Sequence, residues 1–204
     1  MLPERNLHVL PEGLPMEHAV FTEPLAAACE ILEQVSIPPG ETVAVLGDGK
    51  LGLLVALVLN AHGCRVHQFG RHPEKLCIAE AAGVATECNP ARLPTAAYDW
   101  VVEATGNPEG LRAAVAMARP RGTVVMKSTV HGTVAIDTAP AIVNELTLVG
   151  SRCGRFEAAL PLLVGEAIPF ERMISDRFKL RDAAKAFTRA AERGVLKVLL
   201  DGVA

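Results

Sequence analysis

Thr42-Val-Ala-Val-Leu-Gly-Asp-Gly-Lys-Leu-Gly-Leu-Leu-Val-Ala56 runs an apolar, β-branched stretch straight into Gly47-x-Gly49-x-x-Gly52 and then into a second apolar stretch of helical character. A strand, a glycine turn and a helix N-terminus put unpaired backbone N–H groups and the positive end of a helix dipole where a pyrophosphate can sit. Glycines also punctuate ordinary turns, but here the flanking strand and helix supply the context that a dinucleotide site needs. Gly47 lets the chain leave the strand, Gly49 carries no Cβ to keep the phosphates away, and Gly52 lets the helix pack close to the strand. Lys50 and Leu51 are then the N–H donors, and the side chains of Asp48 and Lys50 read as exposed turn groups.

Outward from this turn, helix and strand alternate. Residues 53–62 read as a buried helix, 65–69 as a strand, 73–82 as a helix, 83–87 and 98–104 as strands, and 108–119 as a helix; 122–126 and 146–149 are apolar strands. This is the period of an α/β protein with a doubly wound parallel sheet and right-handed crossovers. The ends fit the alternation less well. A proline-punctuated lead (Leu2 to Pro11) and a helical segment over 16–34 precede the break at Pro38-Pro39-Gly40. Past Gly150 come a helix near 156–163, a strand near 173–178, a helix over 182–193 and a strand over 195–200, which read as parts of a second structural unit.

The chain has 204 residues, half of them apolar, and a net charge of −3. A chain of that length buries about 70% of its unfolded surface, enough for a real core. Disorder and a general nucleic-acid-binding role are disfavoured. The longest apolar run, Leu51 to Leu59, falls well short of the ~20 residues of a membrane span. No basic segment followed by an apolar one opens the chain, so export is not expected. The five cysteines, Cys29, Cys64, Cys77, Cys88 and Cys153, form no C-x-x-C pair. That favours incidental thiols in a reducing cytoplasm over a zinc ribbon or a disulfide scaffold. His62 and Cys64 are close in sequence, but Gly63 between them reads as a helix C-cap, and structural zinc takes four ligands.

Together, Val20-Phe-Thr-Glu-Pro-Leu-Ala-Ala-Ala28, Val45-Leu-Gly-Asp-Gly-Lys-Leu-Gly52, Val102-Glu-Ala-Thr-Gly106, Arg119-Pro-Arg-Gly-Thr-Val-Val125 and Asn144-Glu-Leu-Thr-Leu-Val-Gly-Ser151 resemble the medium-chain dehydrogenase/reductase family, in its zinc-dependent alcohol and polyol dehydrogenase branch. The resemblance runs through essentially the whole chain. It implies a Rossmann sheet of order 3-2-1-4-5-6 over residues 39–151. Residues 1–38 would be a remnant of the catalytic domain with a linking helix, and 152–204 would return to that domain. It also implies a GroES-like region bearing the catalytic zinc ligands, and no Cys–His–Glu zinc set can be assembled from this chain. The expectation is the NAD(P)-binding portion of an alcohol or polyol dehydrogenase-like oxidoreductase, incomplete as a catalyst by itself. The alternatives are a non-catalytic dinucleotide-binding or interaction module, or a truncated reading frame. The partners implied are the cofactor and either a second copy, pairing through the region 144–149, or a separate zinc-binding half.

The resemblance assigns further residues. Glu23 matches a glutamate at or beside the family's catalytic zinc; its other reading is an N-terminal helix carboxylate, in a helix opened by Thr22 as N-cap. Ala104 and Thr105 join the cofactor contacts, and Lys197 matches a basic residue that approaches the pyrophosphate, although it also reads as a lysine snorkelling from an edge strand. An NAD-selective site places a carboxylate at the end of the second strand, about twenty residues past the glycine turn. That position is Gly70, flanked by Arg71 and His72, with Lys75 on the next helix. A small residue beside a guanidinium suits the 2′-phosphate of NADP, so NADP is favoured over NAD. Arg71 stacking on the adenine, or lying solvated beside a site that takes either cofactor, is the alternative.

Overall fold

The run 43–46 is continuously apolar because both of its faces are covered: Val43, Ala44 and Val45 are fully buried and Leu46 nearly so. In the computed structural model, which describes residues 3–130 and 132–202, the elements are α1 (Met16–Ala19), α2 (Thr22–Gln34), β1 (Thr42–Leu46), α3 (Lys50–Ala61), β2 (Arg65–Gly70), α4 (Pro73–Glu80), β3 (Ala85–Cys88), β4 (Tyr98–Glu103), α5 (Pro108–Met117), β5 (Ala118–Met126), α6 (Ala139–Val143), β6 (Thr147–Gly150), α7 (Phe156–Val164), β7 (Ile174–Lys179), α8 (Ala183–Ala190) and β8 (Lys197–Asp201). Of the expected terminal segments, Leu2 and the last two residues lie outside the described residues.

Six strands form one parallel sheet in the order β3-β2-β1-β4-β5-β6. This is the doubly wound Rossmann arrangement expected from the sequence. Strands β7 and β8 pair in a separate two-stranded parallel sheet, with α8 against both. Gly63 ends α3 in a left-handed conformation, its N–H donating to Asn60 O and that of Cys64 to Leu59 O, the paired bonds of a Schellman motif. His62 and Cys64 then face the linker carbonyls of Ile37 and Pro38 rather than each other.

Three local expectations are corrected. The helix expected over 16–34 is two helices, broken at Val20 and Phe21 where the Phe21 ring turns inward to pack 5.1 Å from that of Phe170. Thr22 is not the N-cap of α2: that position is Phe21, and the Thr22 hydroxyl donates backward to Ala19 O at 2.6 Å. Helix α5 stops at Met117 rather than Arg119, since Pro120 disfavours helical backbone at the residue before it.

A single apolar cluster joins the terminal segments to the sheet. It runs from Leu25 and Ile31 of α2 through Leu53 and Leu57 of α3 to Leu163, Phe170 and Met173. Where the chain crosses to α7, Gly154 lies so close to α2 that a Cβ there would overlap the Ala26 carbonyl. Among the described residues, no helix is long and apolar enough to cross a membrane.

Leu25 is fully buried in this cluster, and Trp100 of β4 packs against the same cluster. Leu25→Ala should cost about 2–5 kcal/mol. Urea unfolding followed by Trp100 fluorescence and by far-UV circular dichroism should show both midpoints falling together; a tryptophan transition that stays in place would contradict a shared core.

Candidate functional site

The carboxyl ends of β1, β2 and β4 meet where the strand order reverses, and a cleft of about 810 Å³ opens there. Ligands bind doubly wound sheets at this topological switch point. The cleft is lined by Gly47, Gly49, Gly70, Arg71, His72, Lys75, Ala104 and Thr105, all proposed from the sequence as cofactor contacts. Lys50, Leu51 and Gly52 form the first turn of α3 beside it, with Gly49 as the N-cap.

The three glycines of the turn differ in what surrounds them. Gly47 has φ +116°, and a Cβ there would overlap the Ala104 carbonyl and lie 2.7 Å from its carbon. A Cβ at Gly52 would overlap the Gly47 carbonyl. These two positions let β1, β4 and α3 touch backbone to backbone. Gly49 is different, because a Cβ there meets nothing within 4 Å. Its lack of a side chain serves the open space in front of the helix.

The opposite rim is built from Glu103, which is nearly completely buried. Its Oε1 accepts the Thr105 N–H at 2.7 Å and the Thr105 hydroxyl at 2.6 Å. Gly106 N–H donates to Ser128 Oγ at 2.8 Å, and Asn107 Oδ1 caps α5 by accepting from Gly110 N–H at 2.9 Å. A Cβ at Gly110 would overlap the Thr105 hydroxyl, so α5 can start only at this distance from the rim.

Asp48 overturns the expectation of an exposed turn side chain: only 8% of the residue is accessible. Its Oδ2 accepts the backbone N–H groups of Arg71 and His72, each at 2.7 Å, and His72 Nδ1 lies 3.0 Å from the same oxygen. Burial pushes the Asp48 carboxyl up, but the two backbone donors and His72 outweigh it and hold its pKa below the usual carboxylate value. The stability this contributes is present above the ordinary carboxylate range and lost as pH falls through the depressed value. Sequence reasoning missed this role because the turn motif directs attention to its backbone; the signal available was a carboxylate in the turn paired with a glycine at 70. Asn89 was missed as well, and its Nδ2 donates to Arg71 O at 3.1 Å.

Two of the cleft's cations lack partners. The Arg71 guanidinium is exposed, and the Lys75 ammonium belongs to a residue only 9% accessible; among the described residues neither has a hydrogen bond or ion pair. Arg112, by contrast, bonds Glu109 and the Ala135 carbonyl. Lys197 does not line the cleft. Its Nζ donates to Val20 O at 2.8 Å and sits 4.9 Å from the centre of the Phe21 ring. Burial, then repulsion from Lys50, pushes its pKa down, with Glu23 acting in the opposite sense. Glu23 itself is exposed in the first turn of α2. Among the described residues, no three His, Cys, Asp or Glu side chains are grouped so as to hold a metal ion. Cys29 and Cys64 are buried, while Cys77, Cys88 and Cys153 are exposed, and all five are free.

Residues 51–165 match the family described as zinc-binding dehydrogenase. D-xylulose reductase A of Aspergillus oryzae is 26% identical over 222 residues, covering 100% of this chain and 62% of its own length. A structure from Sinorhizobium meliloti, described as a zinc-binding dehydrogenase bound to NADP, is 30% identical with a TM-score of 0.83, over 94% of this chain and 61% of that one. An alcohol dehydrogenase from Escherichia coli complexed with NADH shares the fold, with a TM-score of 0.85 at 22% identity over 98% of this chain and 63% of that one. The chain thus spans a little over three-fifths of the length of these relatives.

The glycine geometry separates two outcomes. Gly49→Val should abolish dinucleotide binding, read by fluorescence titration with NADPH, with little change in the thermal midpoint. Gly47→Ala should instead lower stability by about 1–3 kcal/mol through strain and overlap. Retained NADPH affinity in Gly49→Val would contradict the placement of the pyrophosphate.

Proposed function

The chain belongs to the zinc-binding dehydrogenase family, and from that premise we propose that it is the NAD(P)-binding portion of an alcohol or polyol dehydrogenase-like oxidoreductase, with NADP favoured over NAD. The observation that carries this reading is a switch-point cleft that combines an open Gly49 with two cations, Arg71 and Lys75, that have no side-chain partner among the described residues. Backbone N–H groups at Lys50 and Leu51 would hold the pyrophosphate, and the rim at Ala104 and Thr105 would border the cofactor. Arg71, joined by Lys75, would take a 2′-phosphate through charge-assisted hydrogen bonds. When bound, the nicotinamide supplies the hydride chemistry; the protein's part is to bind, orient and exclude water.

The division we favour is 39–151 as the cofactor domain, with 1–38 and 152–204 belonging to a catalytic unit. A catalytic zinc takes three protein ligands and an open position. The described residues offer no such set, since Glu23 stands exposed with no grouped partners. The same observation favours a second reading, a dinucleotide-binding module without catalysis of its own. A homodimer across β6 is supported by its place at the sheet edge and by exposed Leu148, Ile142 and Val143. A cytoplasmic setting is in keeping with five unpaired cysteines.

Titration with NADPH and NADH by nicotinamide fluorescence tests the assignment. Both should bind, with NADPH tighter by roughly tenfold or more, as one charge-assisted contact implies. Arg71→Ala combined with Lys75→Met should erase that preference. Equal or tighter NADH binding would overturn the NADP assignment, and no binding of either would overturn the function. Added zinc should leave alcohol oxidation by this chain undetectable, whereas robust zinc-dependent turnover would show that its metal ligands have been misjudged.

A further inference from the structure

We propose that Asp48, reaching from the glycine turn into the space beside Gly70, is a positioning residue that sets cofactor selectivity by holding the Arg71 backbone so that its guanidinium meets a 2′-phosphate. This rests on the dinucleotide reading above and adds a mechanism of selection to it.

Positions 48 and 70 share one volume. A Cβ at Gly70 would lie 2.7 Å from both Cβ and Oδ2 of Asp48 and 2.9 Å from its Cγ. The site therefore has room for one carboxylate in this corner, and here it comes from the first loop rather than from the end of β2. A carboxylate at the end of β2 in an NAD site presents its oxygens to the ribose hydroxyls. Asp48 spends its oxygens differently. Oδ2 is occupied by the Arg71 and His72 N–H groups and by His72 Nδ1, and Oδ1 lies 3.2 Å from the same Nδ1.

The segment around Arg71 is clamped from the other side as well. Asn89 Nδ2 donates to the Arg71 carbonyl at 3.1 Å, and Asn89 N–H donates to the Gly70 carbonyl at 2.9 Å. Both peptide groups of Arg71 are thus fixed while its side chain carries no partner among the described residues. A guanidinium whose backbone is already ordered loses less conformational freedom on meeting a phosphate. Lys75, mostly buried in the same cleft and without a side-chain partner among the described residues, supplies the independent sign that this corner receives an anion.

The test measures Kd for NADPH and NADH on the full chain, with circular dichroism to confirm folding. Asp48→Ala frees the loop and should weaken NADPH by roughly tenfold or more while changing NADH little, since a lost charge-assisted contact is of that size. Asp48→Asn keeps a carbonyl acceptor for the two N–H groups and should restore the NADPH/NADH ratio. In an Arg71→Ala background, Asp48→Ala should leave the ratio unchanged, because Asp48 acts through Arg71. Exchanging the pair, Asp48→Gly with Gly70→Asp, moves the carboxylate to the end of β2 and should invert the preference toward NADH. Should Asp48→Ala fold poorly, this exchange carries the test, since it keeps one carboxylate in the shared volume. Equal losses for both cofactors in Asp48→Ala, an unchanged preference after the exchange, or loss of NADH alone in Asp48→Asn would overturn the inference. Binding of neither cofactor by the unmodified chain would overturn the dinucleotide reading beneath it, a result distinct from all of these.

Discussion

Position 47 has no room for a side chain: its Cα faces the Ala104 carbonyl, and its own carbonyl faces the space where a Cβ of Gly52 would be. The rest of the site follows from this contact of backbone on backbone. Strands β1 and β4 can adjoin, helix α3 can begin immediately past the turn, and its free N–H groups are brought to the carboxyl end of the sheet where the strand order reverses. With a larger residue at either position, the helix would stand further from the strand and the cleft would change shape. Gly49 is free of such crowding, since a Cβ there would meet nothing within 4 Å.

Around that fixed turn, the cleft's polar groups fall into two kinds. One kind is internally satisfied and holds backbone in place: Asp48 on the 71–72 peptides, Asn89 on Arg71, Glu103 on Thr105 and Asn107 on α5. The other kind, Arg71 and Lys75, has no protein partner among the described residues. A chain whose overall charge is slightly negative therefore offers positive groups at one end of its cleft. Because the supporting bonds are already made in the free protein, an anion arriving there would order little beyond two side chains.

The strand, the glycine turn and the alternation that follows were legible because each rests on local chemistry: β-branched runs, a Gly-x-Gly-x-x-Gly spacing and helical stretches between. The sheet order came from the resemblance, and the observed pairings agree with it. What stayed hidden depended on contacts distant in sequence. The burial of Asp48 requires a glycine at 70 and two N–H groups beyond it, which no local pattern at 48 announces. The break at Phe21 follows from a ring contact with Phe170, and the tether of Lys197 to Val20 spans most of the chain. Local signals at 16–34 and at 195–200 carry neither. Family membership was legible in the motifs, and the residues matched, 51–165, cover most of the Rossmann sheet.

We propose that the glycine-turn cleft receives a dinucleotide with its pyrophosphate at the start of α3 and its 2′-phosphate at the 71–75 segment. Amide chemical-shift mapping of the ¹⁵N-labelled chain titrated with NADP⁺ tests this placement residue by residue. The largest shifts are expected at Gly49, Lys50 and Leu51 and at Arg71, His72 and Lys75, with the 71–75 set responding far less to NAD⁺. Shifts confined to other surfaces, such as the groove between Leu14 and Phe170, or the same response at 71–75 to both cofactors, would contradict it.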